Sequence, residues 1–148
     1  MKIEYPALAL LVSLVAAAPA VAAERVDGPV TAQVVRVIDG DTVEVLAKPW
    51  LGMTITTRVR VAGIDTPEKG SRAKCPAEAA LAERASAAAR AALPAGAQVR
   101  ISGIAEDKYG GRVVARIADP QGRDVGQALI AAGLARPYDG GRKSSWCR

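Results

Sequence analysis

The chain has 148 residues, with a formal net charge of +5 and no histidine, and this length is typical of one domain. The positive charge favours a polyanionic partner such as nucleic acid, phospholipid or an acidic polymer. Aromatic residues are few, with no Phe, two Trp and three Tyr, which argues against extensive stacking platforms for single-stranded nucleic acid. Any such partner is therefore expected to be held mainly through charge.

The first 23 residues have the pattern of a secretory signal peptide. Lys2 precedes an apolar stretch over 7–18, and small residues over 20–23 provide a cleavage site. The apolar stretch is shorter than the ~20 residues that span a bilayer. Glu4 weakens the positive start, so an uncleaved N-terminal anchor is the alternative. We expect residues 1–23 to be a signal peptide and residues 24–148 to form one domain, exported to the periplasm or secreted, without stable membrane association after cleavage.

The chain contains two cysteines, Cys75 and Cys147. In an exported protein, two thiols predict one structural disulfide. Two unpaired thiols are the alternative, and a metal site built on them is disfavoured because no histidine is present to complete it. The predicted bridge ties the C-terminus to the segment before a long helix.

Three β-rich segments come first in the chain. Thr31–Ile38 and Thr42–Leu46 flank Asp39-Gly40-Asp41, a spacing that predicts a tight hairpin turn. Thr54–Ile64 then alternates between apolar residues and polar or charged ones, which predicts a strand with one face on a core and Arg60 on the other face.

Helices and strands alternate in the second half of the chain. Pro76–Leu93 is rich in alanine and has Pro at its first position, which favours a helix. The remaining segments are two strands, a short helix and an extended tail held only by Cys147, over Gln98–Ile101, Arg112–Ala118, Val125–Ala132 and Arg136–Arg148. This order predicts a mainly β (α+β) fold, a five-stranded OB-fold barrel with two to three helices. A two-layer α+β sandwich is the alternative.

Four carboxylates lie in two short clusters at predicted strand ends. Asp39 and Asp41 flank the first turn, and Asp65 and Glu68 follow the arginine-bearing strand. A barrel can bring both clusters to one rim, where oxygen ligands without His or Cys select a hard cation, Ca²⁺ or Mg²⁺. Taken singly, each cluster also has a structural explanation, as a hairpin turn or a helix cap.

Two arginines and one threonine add to the carboxylate clusters. Pro67 favours an extended Thr66, whose carbonyl oxygen is then a further candidate ligand. Arg60 and Arg112 are candidates for a phosphate clamp, because guanidinium groups bind two phosphoryl oxygens at a time. Simple salt bridges are the alternative explanation for both arginines.

Four segments together resemble the staphylococcal nuclease (thermonuclease) family. They are Val37–Thr42, Arg60–Glu68, Asp107–Arg112 and Ala128–Ala135. Each motif alone has low specificity, but their order and spacing together are specific, and the resemblance runs from about Val34 to Tyr138. It implies the OB-fold barrel.

The resemblance also implies roles for individual residues. The implied residues are the metal ligands Asp41, Asp65 and Thr66, the catalytic Arg60, Glu68 and Arg112, the nucleotide or phosphate contacts Lys108, Tyr109 and Tyr138, and an auxiliary acid, Asp39. Gly111 is an extra residue before the second arginine of the motif. Arg112 therefore takes that role if the turn is one residue longer, and Gly111 stands in its place if the turn keeps its usual length.

The activity implied by the resemblance is that of a monomeric Ca²⁺-dependent nuclease. It hydrolyses DNA and RNA with little base specificity, breaking the 5′ P–O bond to leave 3′-phosphate ends. A non-catalytic OB-type nucleic-acid-binding module is the alternative, although such modules usually lose acids or arginines that this chain retains. A secreted basic structural domain is a third possibility, which leaves the spacing of the acids and arginines to coincidence.

Overall fold

The computed structural model describes Met1 and residues 24–148. The predicted signal peptide lies outside the described residues, apart from Met1, and its cleavage stays a prediction. No helix within the described part of the chain is long and apolar enough to cross a membrane.

The described residues form eight strands, two α-helices and one short 3₁₀ helix. The strands are β1 (Arg25–Val26), β2 (Val30–Asp39), β3 (Thr42–Lys48), β4 (Ile55–Val61), β5 (Ile64–Asp65), β6 (Gln98–Glu106), β7 (Val113–Ala118) and β8 (Arg136–Pro137). The helices are the 3₁₀ helix Gly70–Arg72, α1 (Pro76–Ala92) and α2 (Val125–Ala131).

Five strands close into a barrel, which confirms the predicted OB-type fold. The strands β2, β3 and β4 form an antiparallel meander, and β4 then pairs in parallel with β7. The strand β6 pairs with both β7 and β2, so the sheet returns to its first strand. Closure leaves the barrel without free edges. The short β1 extends β6 on the outside, and β5 pairs with β8 in a separate two-stranded sheet.

Alternation along the strands places small aliphatic side chains inside the barrel. The buried interior includes Val34, Val45, Val59, Ala115 and Ile117. The valines and the isoleucine among them are β-branched and suit a pleated surface that is covered on one side.

The predicted strand Thr54–Ile64 is two strands instead of one. Gly63 adopts a φ of 76°, a left-handed conformation that glycine takes at little cost, and the chain turns there. As a result Ile64 and Asp65 leave the barrel and pair with β8. At the other end, Ile55 is 45% exposed, so the buried part of the apolar face is shorter than the alternation in the sequence predicts.

The helix α1 packs against the hairpin turn between β2 and β3. A Cβ atom added to Gly40 would lie 2.9 Å from Cβ of Ala85 in α1 and 3.1 Å from Cβ of Thr66. Glycine is therefore needed at this turn because the helix and the Thr66 loop approach its backbone closely. This contact fixes the turn that carries Asp41 relative to the loop that carries Thr66.

The C-terminal tail is held at several points. The disulfide between Cys75 and Cys147 is present, which confirms the predicted bridge. The expectation that Cys147 alone holds the tail is wrong, because β8 pairs with β5. In addition, the guanidinium group of Arg136 lies 3.8 Å from the ring centroid of Trp146 and donates to the carbonyl of Ser145 at 2.9 Å. Stacking of this kind fixes an otherwise irregular segment.

We predict that Gly40→Ala destabilises the fold by roughly 1–3 kcal/mol, because the new methyl group overpacks the contact between the turn and α1. Denaturant unfolding measures the change. The same substitution in an Ala85→Gly background tests the cause, since one of the two clashing groups is then gone. An undiminished cost in that background contradicts the explanation.

Candidate active site

A cavity of about 550 Å³ opens at the end of the barrel where the β2–β3 turn, the loop after β5 and the β6–β7 turn meet. Charged side chains dominate its lining. The acids are Asp39, Asp41, Glu68, Asp107 and Asp139, and the cations are Arg60, Lys69, Arg72, Lys108, Arg112 and Lys143. The guanidinium and ammonium groups make the cavity suited to an anion, while the acids provide hard oxygen ligands.

Asp41 lies in the β2–β3 turn and pairs with Arg60. The pairing follows from strand register, because Arg60 stands opposite Thr42 in the β3–β4 ladder. Its Nη1 atom lies 2.9 Å from Oδ2 of Asp41, and its Nη2 donates to the carbonyl of Ile64 at 3.2 Å. The hydroxyl of Thr42 donates to the other carboxylate oxygen of Asp41 at 3.0 Å. Arg60 thus links the turn of Asp41 to the strand of Asp65.

Asp39 stands on the other side of the same turn. Burial raises the pKa of Asp39, and the negative charge of Asp41 raises it further. The nearest cation is Arg72, whose Nη2 is 3.6 Å from Oδ2 of Asp39. Part of this rise in the pKa of Asp39 comes from repulsion by the Asp41 carboxylate, which an additional cation at this rim would reduce.

The carboxylate of Asp65 is covered by the C-terminal tail. Nζ of Lys143 lies 2.7 Å from Oδ1 of Asp65, and Nε1 of Trp146 donates to Oδ2 at 3.1 Å. Asp65 is 4% exposed and is absent from the cavity lining. Its Oδ1 atom is buried and lacks an aligned hydrogen bond, so the contact with Lys143 is an ion pair and not a well-directed hydrogen bond.

Lys143 also reaches Glu68. The distance from Nζ to Oε1 of Glu68 is 3.0 Å, and Nε of Arg72 lies 3.3 Å from Oε2. Partial burial by itself lowers the pKa of Lys143, but its close contacts with the carboxylates of Asp65 and Glu68 outweigh burial and leave that pKa above its ordinary value. The ammonium group of Lys143 is therefore a bridge between the two carboxylates.

Glu78 fixes the loop that carries Glu68. It is buried in the first turn of α1. Its Oε1 accepts from the backbone N–H of Glu68 at 3.2 Å, and its Oε2 accepts from that of Lys74 at 2.7 Å. A buried carboxylate that accepts two backbone donors is strongly tied to its place. Glu78 also lies near the disulfide sulfurs, which are bonded to each other and so provide no thiolate for a metal.

The β6–β7 turn carries the second arginine. Arg112 forms an ion pair through Nε with Asp107, and its guanidinium carbon is 5.8 Å from the ring centroid of Tyr109. Burial tends to raise the pKa of Asp107, but the hydrogen bond from Arg112 and other contacts leave it lowered. Gly110 and Gly111 both adopt a positive φ, so the turn accommodates the extra glycine and Arg112 lines the cavity.

Two tyrosines and one lysine complete the rim. Tyr138 packs against Arg60, whose guanidinium carbon is 5.8 Å from the ring centroid, and Tyr109 is largely exposed. Lys108 donates to the carbonyl of Gly140 at 3.3 Å. These side chains face the cavity opening, where a polyanionic chain would enter.

Most of the site residues predicted from the sequence lie around this one cavity. They are Asp39, Asp41, Arg60, Thr66, Glu68, Lys108, Tyr109, Arg112 and Tyr138. Asp65 lies behind the tail. The salt bridges considered as the alternative for the arginines are present, and both arginines also line the cavity.

Three contributors were not predicted from the sequence: Lys143, Trp146 and Glu78. Trp146 could have indicated that the tail packs against the rest of the protein, because a bulky aromatic residue beside a disulfide cysteine favours burial of its segment. Glu78 was recognisable as an acid at the start of a helix, but its partner in a distant loop was not.

The residues present fit a hard divalent cation. The candidate ligands are all oxygen atoms, and Oδ1 of Asp65 is a buried carboxylate oxygen without an aligned hydrogen bond. Asp39 lies at the same rim, and its pKa is raised first by burial and then by the charge of Asp41. An all-oxygen ligand set favours Ca²⁺ or Mg²⁺ over zinc or copper.

Fold and cavity together define a class of protein, a basic OB-fold barrel with an acid-and-arginine cleft at one end. Residues 58–145 match the family model described as staphylococcal nuclease homologue, and the chain belongs to this family. It is 33% identical over 107 residues to proteins described as uncharacterized endonucleases in Escherichia coli and in Escherichia coli O157:H7, covering 72% of this chain and 60% of each relative. The chain thus spans about 60% of the length of the curated relatives that it matches.

We predict that Glu78→Ala destabilises the protein, because two backbone N–H groups lose their acceptor at a cost of roughly 1–3 kcal/mol each. Urea unfolding measures the loss. Glu83→Ala on an exposed position of the same helix is the matched control and is expected to change stability by less than about 0.5 kcal/mol. Equal losses in the two variants refute the role given to Glu78.

Proposed function

We propose that this protein is a Ca²⁺-dependent nuclease that hydrolyses DNA and RNA with little base specificity. One observation carries the proposal: Arg60, Arg112 and Glu68 line a single cavity together with Asp41 and Thr66. Membership of the staphylococcal nuclease homologue family and similarity to relatives described as endonucleases support the same chemistry.

Asp41, Asp65 and the carbonyl of Thr66 are the residues that would hold the metal. Oxygen ligands drawn from a turn, a strand and a loop suit Ca²⁺, which accepts variable geometry more readily than Mg²⁺. When bound, the ion supplies charge neutralisation at a phosphoryl oxygen and orientation of water. Asp39 shapes the same rim without being assigned as a ligand.

Glu68 is the proposed general base. Its side chain lines the cavity and is held in place from behind by Glu78 through the backbone of residue 68. The carboxylate takes a proton from the attacking water while the water oxygen forms its bond to phosphorus. The bond between phosphorus and the 5′ oxygen then breaks, which leaves a 3′-phosphate on one fragment and a 5′-hydroxyl on the other. A base in this position contributes ~10²–10⁴-fold to the rate.

Arg60 and Arg112 are the proposed stabilisers of the transition state. In the structure each guanidinium pairs with a carboxylate, Arg60 with Asp41 and Arg112 with Asp107. Such pairing orients the guanidinium groups before substrate arrives, and the remaining N–H donors are left for phosphoryl oxygens. Charge that grows on these oxygens as water attacks is stabilised by preorganised donors.

The rim supports binding to a nucleic-acid backbone and not to particular bases. Lys108, Tyr109 and Tyr138 are proposed to contact the nucleotide and its phosphate, and Lys69 and Arg72 extend the positive surface beside them. Contacts to phosphate carry no sequence information. We therefore propose both DNA and RNA as substrates of an exported, monomeric enzyme. The non-catalytic binding module stays the alternative, and retention of acids and arginines in one cavity argues against it.

We predict that the protein digests single-stranded DNA in the presence of Ca²⁺ and that EGTA abolishes digestion. Glu68→Gln is expected to lower the rate by at least ~10²-fold, because the amide cannot accept the proton of water. Fluorimetric assay of a labelled oligonucleotide measures both effects. Equal digestion by the wild type, the chelated protein and Glu68→Gln contradicts the metal-and-base mechanism.

We also predict that Arg112→Ala lowers kcat by ~10²–10³-fold, because a donor to the growing oxyanion is lost. Arg116→Ala is the matched control, since Arg116 is exposed on β7 and lies outside the cavity lining. Its kcat is expected to stay within about twofold of the wild-type value, because surface substitutions away from a site have small effects. A larger loss of kcat in Arg116→Ala than in Arg112→Ala contradicts the role given to Arg112.

A further inference from the structure

We propose that Lys143 occupies a cation position between Asp65 and Glu68, so that a divalent ion binds by exchange with the Lys143 ammonium group. Lys143 is then a residue that sets metal affinity. The inference rests on the proposed function, because it takes Asp65 as a metal ligand.

The contacts of Lys143 are those expected of a cation held by ligands. Its ammonium nitrogen lies 2.7 Å from Oδ1 of Asp65 and 3.0 Å from Oε1 of Glu68. Oδ1 of Asp65 is buried and has no aligned hydrogen bond, so what holds Lys143 there is charge. The lysine side chain is 41% exposed, which gives it a route into solvent when another cation takes its place.

Charge balance favours exchange over simultaneous binding. The carboxylates of the rim are those of Asp39, Asp41, Asp65 and Glu68, and the cations paired with them are Arg60, Arg72 and Lys143. Among these ion-paired groups, four negative charges face two guanidinium groups once the ammonium group is removed, and that surplus of two equals the charge of one divalent ion. With Lys143 in place the surplus is one, and a divalent ion would also lie beside an ammonium group in repulsion.

The tail presents Lys143 to the site at high effective concentration. Four residues further on, Cys147 is bonded to Cys75 next to α1. Trp146 donates to Oδ2 of Asp65 and stacks on Arg136 of β8. A tethered competitor is present at all times, whatever the protein concentration. Metal affinity is accordingly expected to be weaker than the same ligands would give without Lys143.

Calorimetric titration of the full exported chain with Ca²⁺ tests the proposal. We expect Lys143→Met to lower the Kd for Ca²⁺ by about tenfold, the effect of removing a competing ion pair, and Lys143→Arg to keep the Kd near that of the wild type. Arg142→Met is the matched control, because it removes the same charge from the neighbouring residue, which forms no ion pair within the described chain. Its Kd is expected to match that of the wild type.

Tryptophan fluorescence gives a second readout of the exchange. In a Trp50→Phe background, Trp146 is the remaining tryptophan, and Trp50 itself is 73% exposed in the β3–β4 loop. We expect Ca²⁺ to change the emission of Trp146 because the metal takes the carboxylate of Asp65 to which the indole donates. Thermal melts of every variant show that each is folded.

The outcomes separate the inference from the proposed function. Equal Ca²⁺ affinity in the wild type and Lys143→Met, or an equal gain in Arg142→Met, overturns the exchange. If the exchange is overturned in this way, weaker Ca²⁺ binding by Asp65→Asn than by the wild type still supports the proposed metal site. Absence of Ca²⁺ binding in the wild type and Lys143→Met alike overturns both the exchange and the proposed metal role.

Discussion

Electrostatic repulsion among carboxylates at one end of a small barrel is what the surrounding residues must offset. Asp39 and Asp41 flank a single turn, where burial first and the negative charge of Asp41 second raise the pKa of Asp39. Water would screen such charges on an open surface, but Asp41 and Asp65 are buried, and the interaction between buried charges is stronger. The protein offsets it with guanidinium and ammonium groups drawn from three separate parts of the chain. A site of this kind is costly to build and fits a role in holding cations and anions together.

The barrel makes that arrangement durable because each charged group is anchored to regular structure. Arg60 is fixed by the register of β3 with β4, and the Asp41 turn is fixed by the close approach of α1 at Gly40. The loop of Glu68 has no regular structure of its own at that residue, and Glu78 of α1 supplies the anchor instead. Positions of catalytic groups are best defined when rigid elements or buried hydrogen bonds support them.

Local rules were sufficient for most of the fold. The Asp-Gly-Asp turn, the alternation in β4 and the proline that opens α1 each follow from properties of a few neighbouring residues. The resemblance in four segments then fixed the barrel topology, including the parallel pairing of β4 with β7 that no local rule indicates. Local reasoning failed where a partner lay far away in the chain. The strand at Ile64 exists because β8 pairs with it across more than seventy residues.

The candidate site likewise contains residues that sequence motifs predict and residues that only the tertiary structure brings there. Its acids and arginines belong to motifs with recognisable spacing, so their place at one rim could be expected before the structure was known. The tail could not, since Lys143 and Trp146 belong to a segment rich in glycine and serine whose conformation depends on the disulfide and on β8. Lys143 in the tail nevertheless changes the net charge of the site, because it pairs with both Asp65 and Glu68. Sequence motifs therefore identify which groups can bind a metal, whereas the affinity with which they bind it depends on a lysine that only tertiary structure brings to them.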